Sequence, residues 1–170
     1  AAKTAAHLAK LTGKPIVPAR DMLAATWEQQ GFVIYSSALK STAIKLSKIA
    51  SDLILLTSGP RAGLAEINLP ALQPGSSIMP GKVNPVIVES LTMVVARVVG
   101  NDATVAFGQT GSFLELNVMM PVTSQALLES IVLLAASARN SRVKLVEGLK
   151  ATERGPALVT AAPCRIAITR

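Results

Sequence analysis

Apolar residues recur at Leu39, Ala43, Leu46, Ala50 and Leu53, a 4-3-4-3 spacing that places them on one helix face, and Ile49 and Leu56 widen that stripe. Lys40, Lys45, Lys48 and Asp52 fall elsewhere around the same helix. The pattern predicts one long helix over 22–57, capped by Asp21, weakest at Gly31 and ended by Gly59-Pro60. A helix of ~36 residues would run about 54 Å, longer than a small domain is wide, so it is expected to pack along partner subunits. Before it, Ala5 to Leu11 reads as the end of a helix stopped by Gly13 and Pro15, with Ile16-Val17-Pro18 extended.

After it, residues 59–85 read as a long connection, tethered in its first half by Leu64, Ile67, Leu69 and Leu72. The apolar run from Val86 predicts a buried helix, with Asn84 as N-cap and Pro85 as first helical residue. Gly100-Asn101-Asp102 is expected to interrupt that helix, and Gly108 and Gly111 to break it again. Glu115 to about Arg139 reads as a further helix kinked at Pro121, with Leu127, Leu128, Ile131, Leu134, Ala135 and Ala138 at helical spacing. Glu115 and Asn117 lie in apolar surroundings and should belong to a polar network at helix ends. Beyond Asn140 the pattern becomes solvated. The chain is therefore expected to be all-α, a bundle of long helices over 1–148 carrying a polar loop at 74–85. Residues 149–170 would be the start of a small C-terminal domain or an irregular tail.

Composition narrows the functional classes. Half the residues are hydrophobic but only 3% are aromatic, which favours aliphatic helix packing. The net charge is +7, yet the basic residues are dispersed and lack aromatic interleaving, so no nucleic-acid partner is expected. No membrane partner is expected either. The longest charge-free run between Val86 and Ala138 is Leu116 to Leu128, thirteen residues, against the about 20 that a span needs. Helices so poor in charge point instead to burial inside a larger assembly. The single cysteine, Cys164, excludes an intrachain disulfide framework and agrees with a reducing, cytoplasmic setting. There is no initiator Met, and no signal peptide is visible. His7, the only histidine, has no partner nearby in sequence and reads as a surface or interhelical residue. Arg61 is expected to pair with Glu66 or Asp52 rather than with a ligand.

The candidate chemistry is concentrated in Gly75-Ser76-Ser77-Ile78-Met79-Pro80-Gly81-Lys82-Val83-Asn84-Pro85. Two hydroxyls, an ammonium and a carboxamide share this stretch with two glycines and two prolines. A helix starting just beyond it offers free backbone N–H groups to an anion, and Lys82 adds a full positive charge. Ser76 and Ser77 are candidate nucleophiles or bases. Gly75 and Gly81 make the loop a candidate mobile lid.

All eleven positions resemble the signature of the fumarase/aspartase superfamily, lyases that release fumarate. The resemblance extends over roughly residues 7–150, through Ser58-Gly-Pro-Arg-Ala-Gly-Leu-Ala-Glu-Ile67, Val99-Gly-Asn-Asp102 and Glu115-Leu-Asn-Val118. It implies the central helical bundle of a homotetrameric lyase acting on a small dicarboxylate without cofactor or metal. In the family the first signature serine is the base, which maps to Ser76, and the Lys and Asn that bind a substrate carboxylate map to Lys82 and Asn84. Ser77 is an alternative base or a loop hydrogen-bonder. Glu89 stands thirteen residues past Ser76, where fumarases carry the partner of a helper histidine. Its apolar helix would make an unpaired charge there costly.

The resemblance also implies that each active site draws on three subunits and on upstream motifs without counterpart here, so a fragment is expected, inactive by itself. Ala25-Thr26-Trp27 and Leu39 to Ile49 resemble the aspartate ammonia-lyase branch, whereas Glu89 to Val94 and Gly111 to Val118 lean towards class II fumarases. Elimination of ammonia from aspartate is favoured over hydration of fumarate. A helical assembly domain without turnover is the non-enzymatic alternative. The stretch 157–163 faintly resembles the family's C-terminal domain, and Cys164 to Arg170 resembles nothing.

Overall fold

The computed structural model describes residues 1–59 and 61–154. Pro60, the stretch 157–163 and the tail with Cys164 lie outside the described residues. The elements in chain order are α1 (Ala2–Thr12), α2 (Ala24–Trp27), α3 (Gln30–Leu56), β1 (Ile67–Asn68), α4 (Val86–Thr110), β2 (Ser112–Phe113), β3 (Leu116–Asn117), α5 (Met120–Ser141), a π-helical turn (Arg142–Val146) and β4 (Lys150–Ala151). The all-α reading holds, since the strands form only two-residue antiparallel ribbons, β1 with β4 and β2 with β3.

Three long helices make the body. α4 lies in the middle and packs along both α3 and α5, which touch each other little. Its buried residues Val88, Leu91, Val95, Val98 and Val105 step by three, four and seven, the repeat of one helix face. Val88, Leu91, Val95 and Val98 meet Ala43 and Ala50 of α3 and Leu134 of α5, with Leu39, Leu46 and Leu53 packed at the margin, while Val105 packs with Ala126 and Leu127 of α5. The expected α3 seam is therefore real, and Ala43 and Ala50 are its most deeply buried members. Ile49 does not widen it, because its side chain is exposed.

The helix expected over 22–57 is broken at Glu28-Gln29. Asp21 is not the N-cap, a position Leu23 takes, but its Oδ1 accepts the N–H groups of Leu23 and Ala24 at 2.9 and 3.0 Å in the turn that leads into α2. The break arises because distant side chains take the backbone groups a helix would use. Gln109 Oε1 accepts the Gln29 N–H at 2.7 Å, and Asn117 Nδ2 donates to the Trp27 carbonyl at 3.1 Å. Glu28 takes an extended ψ of 125°, and Gly31 sits unharmed in the first turn of α3. What remains is a 27-residue helix, about 40 Å long.

Three other expectations need correction. Asn101 and Asp102 do not interrupt α4, because their side chains reach across to other helices instead of competing for their own backbone. Asn101 Nδ2 donates to Glu129 and Ser130 of α5, and Asp102 accepts from Lys40 and Ser37 of α3. Gly108 does not break α4 either, since Thr123 Oγ1 occupies the space a Cβ there would need, and the two helices close on that point. Pro121 does not kink a helix running from Glu115. Residues 112–117 form the β2–β3 hairpin, α5 starts at Met120, and Pro121 stands in its first turn, where a missing N–H costs nothing. Asn117 is buried and fully engaged, with Nδ2 on the Trp27 and Gly108 carbonyls and Oδ1 on the Met119 N–H, whereas Glu115 is exposed.

Burial pushes the Asp102 carboxyl up, but hydrogen bonds from Lys40, Ser36 and Ser37 and the Lys40 charge outweigh it and hold it below the usual carboxylate range. A carboxylate with a depressed folded pKa stabilises the fold above its unfolded pKa, and that contribution is lost as pH falls through the folded value. Lys40→Met is therefore expected to cost about 2 kcal/mol at pH 7. This sits below the usual loss for a broken buried pair because the Lys40 side chain is 35% exposed. The gap between wild type and variant should close below about pH 4, the unfolded carboxylate range. Urea midpoints measured at pH 7 and pH 3 check this, and a gap that does not shrink would contradict it.

The outer helix faces stay apolar: Phe32, Met93, Phe107, Leu128 and Val132 are all exposed on the chain. Among the described residues, the stretch Met120–Val146 is long and apolar enough by length and composition to cross a membrane. It nevertheless packs one face on α4 and carries Glu129, held in a two-pronged ion pair by Arg97.

Candidate active site loop

The connection between α3 and α4 is tied down at two places. Its first half is fixed by the β1–β4 ribbon, by Thr152 Oγ1 donating to the Ala65 carbonyl at 2.7 Å, and by Leu69 packed on the core. Leu64 and Leu72, expected as anchors, are exposed. The second half closes at a neck, where Pro74 pairs with Val83 and the Gly75 N–H donates to the Lys82 carbonyl at 2.6 Å. Met79-Pro80-Gly81-Lys82 turns the chain back, with Lys82 N–H on the Met79 carbonyl at 3.3 Å and Gly81 at φ 77°. Proline second and a left-handed glycine third are what a type II turn requires.

Inside this closed loop Ser76 Oγ accepts two backbone N–H bonds, from Ile78 and Met79, both at 3.1 Å. This is the local side-chain-to-backbone turn that serine favours. Its chemical consequence is larger than its structural one. Two N–H dipoles aimed at Oγ favour negative charge on that oxygen and so ease loss of its proton. Ser77 makes no comparable contact among the described residues and is exposed. Lys82 is also exposed and forms no ion pair among the described residues.

Asn84 is not the N-cap. Pro85 takes that position and no side chain caps the helix. The reason is visible at Gly75, where a Cβ would stand 2.8 Å from Asn84 Oδ1, so the carboxamide lies back over the loop neck instead of over the helix. The first turn of α4 satisfies much of itself: Val86 N–H bonds the Asn84 carbonyl at 2.9 Å, and Val88 and Glu89 N–H bond the Pro85 carbonyl. Little of the expected anion-binding helix end is left open. Glu89 follows one turn in and is exposed, so the desolvation cost foreseen for it does not arise on this chain.

Ser76, Ser77 and Asn84 face two hollows. Ser76 and Ser77 line an open groove with Gln73, Pro74 and Gly75. Asn84 lines a cleft of ≈ 370 Å³ between the end of α3 and the start of α4, together with Thr57, Ser58 and Asn68. The structure brings the loop residues into one compact turn, but among the described residues these two hollows part Ser76 and Ser77 from Asn84, and neither is lined by Lys82 or Glu89. Thr57, Ser58 and Asn68 escaped sequence reasoning. Ser58 opens a family-like stretch without an assigned role, and nothing around Asn68 marks it. The Ile78 and Met79 N–H groups were legible in principle, as the donors a serine two or three residues upstream attracts. Arg61 makes no ion pair among the described residues, and Asp52 pairs with Lys48 instead.

A lyase family model matches residues 1–100. The aspartate ammonia-lyase of Pseudomonas fluorescens is 50% identical over 147 residues, 86% of this chain and 31% of that protein. Among solved structures, the fumarate lyase:delta crystallin of Brucella melitensis in native form superposes with a TM-score of 0.85 at 44% identity, covering 92% of this chain and 37% of that one. The class II fumarase of Schistosoma mansoni gives a TM-score of 0.81 at 35% identity, covering 93% and 35%. The chain spans about a third of the length of the curated relatives it matches. With more than half of its residues in the family match and with this signature loop, the chain belongs to the fumarase/aspartase superfamily of lyases.

Proposed function

We propose that the chain supplies the central bundle and signature loop of a lyase that reversibly eliminates ammonia from aspartate to give fumarate. The observation that carries this reading is identity of about 50% over 86% of the chain to proteins named aspartate ammonia-lyase.

β-Elimination removes a weakly acidic C–H proton next to a carboxylate, and the resulting negative charge spreads into that carboxylate. The site needs a base at that carbon and cationic or N–H donors around the carboxylate. Ser76 is the base, eased towards its alkoxide by the Ile78 and Met79 N–H groups. Lys82 supplies the positive charge at the carboxylate and Asn84 a carboxamide donor. Ser77 hydrogen-bonds substrate or loop. Glu89 orients an upstream histidine contributed by another part of the protein. No metal or cofactor takes part in this scheme.

The exposed apolar faces of α3, α4 and α5 support assembly into a homotetramer, which would complete sites that this chain leaves open. Residues 1–148 form the bundle unit in this reading. Residues 149–170 open a small further domain or tail, with Lys150 and Ala151 as its attachment. A cytoplasmic enzyme of this kind needs no nucleic-acid or membrane partner.

The full-length protein incubated with fumarate should deplete it, read by its absorbance, only when ammonia is present. Depletion without ammonia favours the fumarase reading, which the 35% identity to a class II fumarase keeps in view. No depletion in either case, with the fold intact, contradicts both.

A further inference from the structure

Gly75 and Asn84 are nine positions apart in sequence but meet at the loop neck. A Cβ built on Gly75 would lie 2.8 Å from Asn84 Oδ1, 3.0 Å from its Cγ and 3.1 Å from its backbone nitrogen. Separations near 3 Å leave no room for a methyl group beside the carboxamide. The backbone of Gly75 is not in the left-handed region, so alanine there meets no conformational penalty of its own. The contact with Asn84 is thus what calls for a residue without a side chain. Gly81 is the reverse case, with φ at 77° and nothing within 4 Å of its built Cβ.

We infer that Gly75 is a positioning residue whose missing side chain lets the Asn84 carboxamide lie over the neck of the Ser76 loop, away from the helix end and at the wall of the cleft it shares with Thr57, Ser58 and Asn68. The inference rests on the reading of Asn84 as a carboxylate ligand. The neck also carries the Gly75 N–H bond to the Lys82 carbonyl, so one glycine aligns the segment bearing Ser76 with the segment bearing Lys82 and Asn84. A methyl group at position 75 pushes the carboxamide off the neck while leaving the Ser76 turn its own N–H donors.

The test is a double-mutant cycle in the full-length protein, with kcat, KM and melting temperature read for each variant. Gly75→Ala should raise KM for the dicarboxylate about 10-fold or more, the scale of one lost charge-assisted hydrogen bond, with the melting temperature held. In an Asn84→Ala background the same change should have little further effect on KM, because the group it displaces is gone. Gly81→Ala is the comparison, and its penalty should multiply with that of Asn84→Ala. A Gly75→Ala variant with wild-type KM, or one whose penalty persists undiminished in the Asn84→Ala background, overturns the inference. If Gly75→Ala fails to fold, Gly75→Ala/Asn84→Ala must recover the fold, and failure to do so overturns it equally. Wild-type kinetics for Asn84→Ala alone would instead remove the carboxylate-ligand reading, a separable result.

Discussion

Ser76→Ala is expected to lower kcat by ~10³ or more while leaving the binding of a substrate analogue nearly unchanged. The variant removes the oxygen that accepts the Ile78 and Met79 N–H bonds, but not those donors, the Lys82 charge or the Asn84 carboxamide. Proton abstraction belongs to the transition state, so its loss appears in kcat and leaves ground-state affinity largely alone. Ser77→Ala is the control, since Ser77 lacks the pair of N–H bonds that marks Ser76. A large loss at Ser77 with Ser76→Ala nearly active would falsify the assignment. Melting temperature separates the chemical effect from a structural one, because two N–H groups left without their acceptor in an exposed loop can turn to water at little cost.

Lys82→Ala is expected to fail differently. Its ammonium is exposed on the chain and unpaired among the described residues, so removing it costs the fold little. In the proposed role it meets the carboxylate in the ground state and again when the carboxylate takes up the negative charge that the departing proton leaves behind. Both KM and kcat should therefore move: KM up by about 10-fold or more, as for a lost charged hydrogen bond, and kcat down by about 10²-fold, because the intermediate carries the larger charge. Unchanged KM with reduced kcat would remove Lys82 from ground-state binding. Kinetics like wild type would remove it from the site.

The sequence made the helices and the loop visible but misplaced several of their ends, and the reasons are physical. The seam through Ala43 and Ala50 was legible because helical spacing encodes burial directly. The type II turn was implicit in Met79-Pro80-Gly81-Lys82. Local rules failed wherever a distant side chain decided a local question. Gln109 and Asn117 break the helix at Glu28-Gln29 from 80 and 90 positions away. Lys40 and Glu129 satisfy Asp102 and Asn101 across helices, so two residues that usually end a helix sit inside one. Pro121 was misplaced by a different error: the β2–β3 hairpin before it is too short for an alternating pattern, so a helix start read as a kink. At the site, the residue identities were readable and their arrangement was not. That Asn84 leans on Gly75 instead of capping α4 depends on a close approach across the loop neck, which neither residue's neighbours encode. Glu89 came out exposed because its apolar helix buries one face only.

The most direct measurement is the position of the proton that the loop is proposed to move. Full-length protein turning over fumarate and ammonia in deuterium oxide, followed by NMR, should yield aspartate carrying one deuterium at the carbon next to its side-chain carboxylate, with Ser76→Ala giving none on the same timescale. Formation of deuterated malate instead of aspartate, or undiminished labelling by Ser76→Ala, would contradict the account.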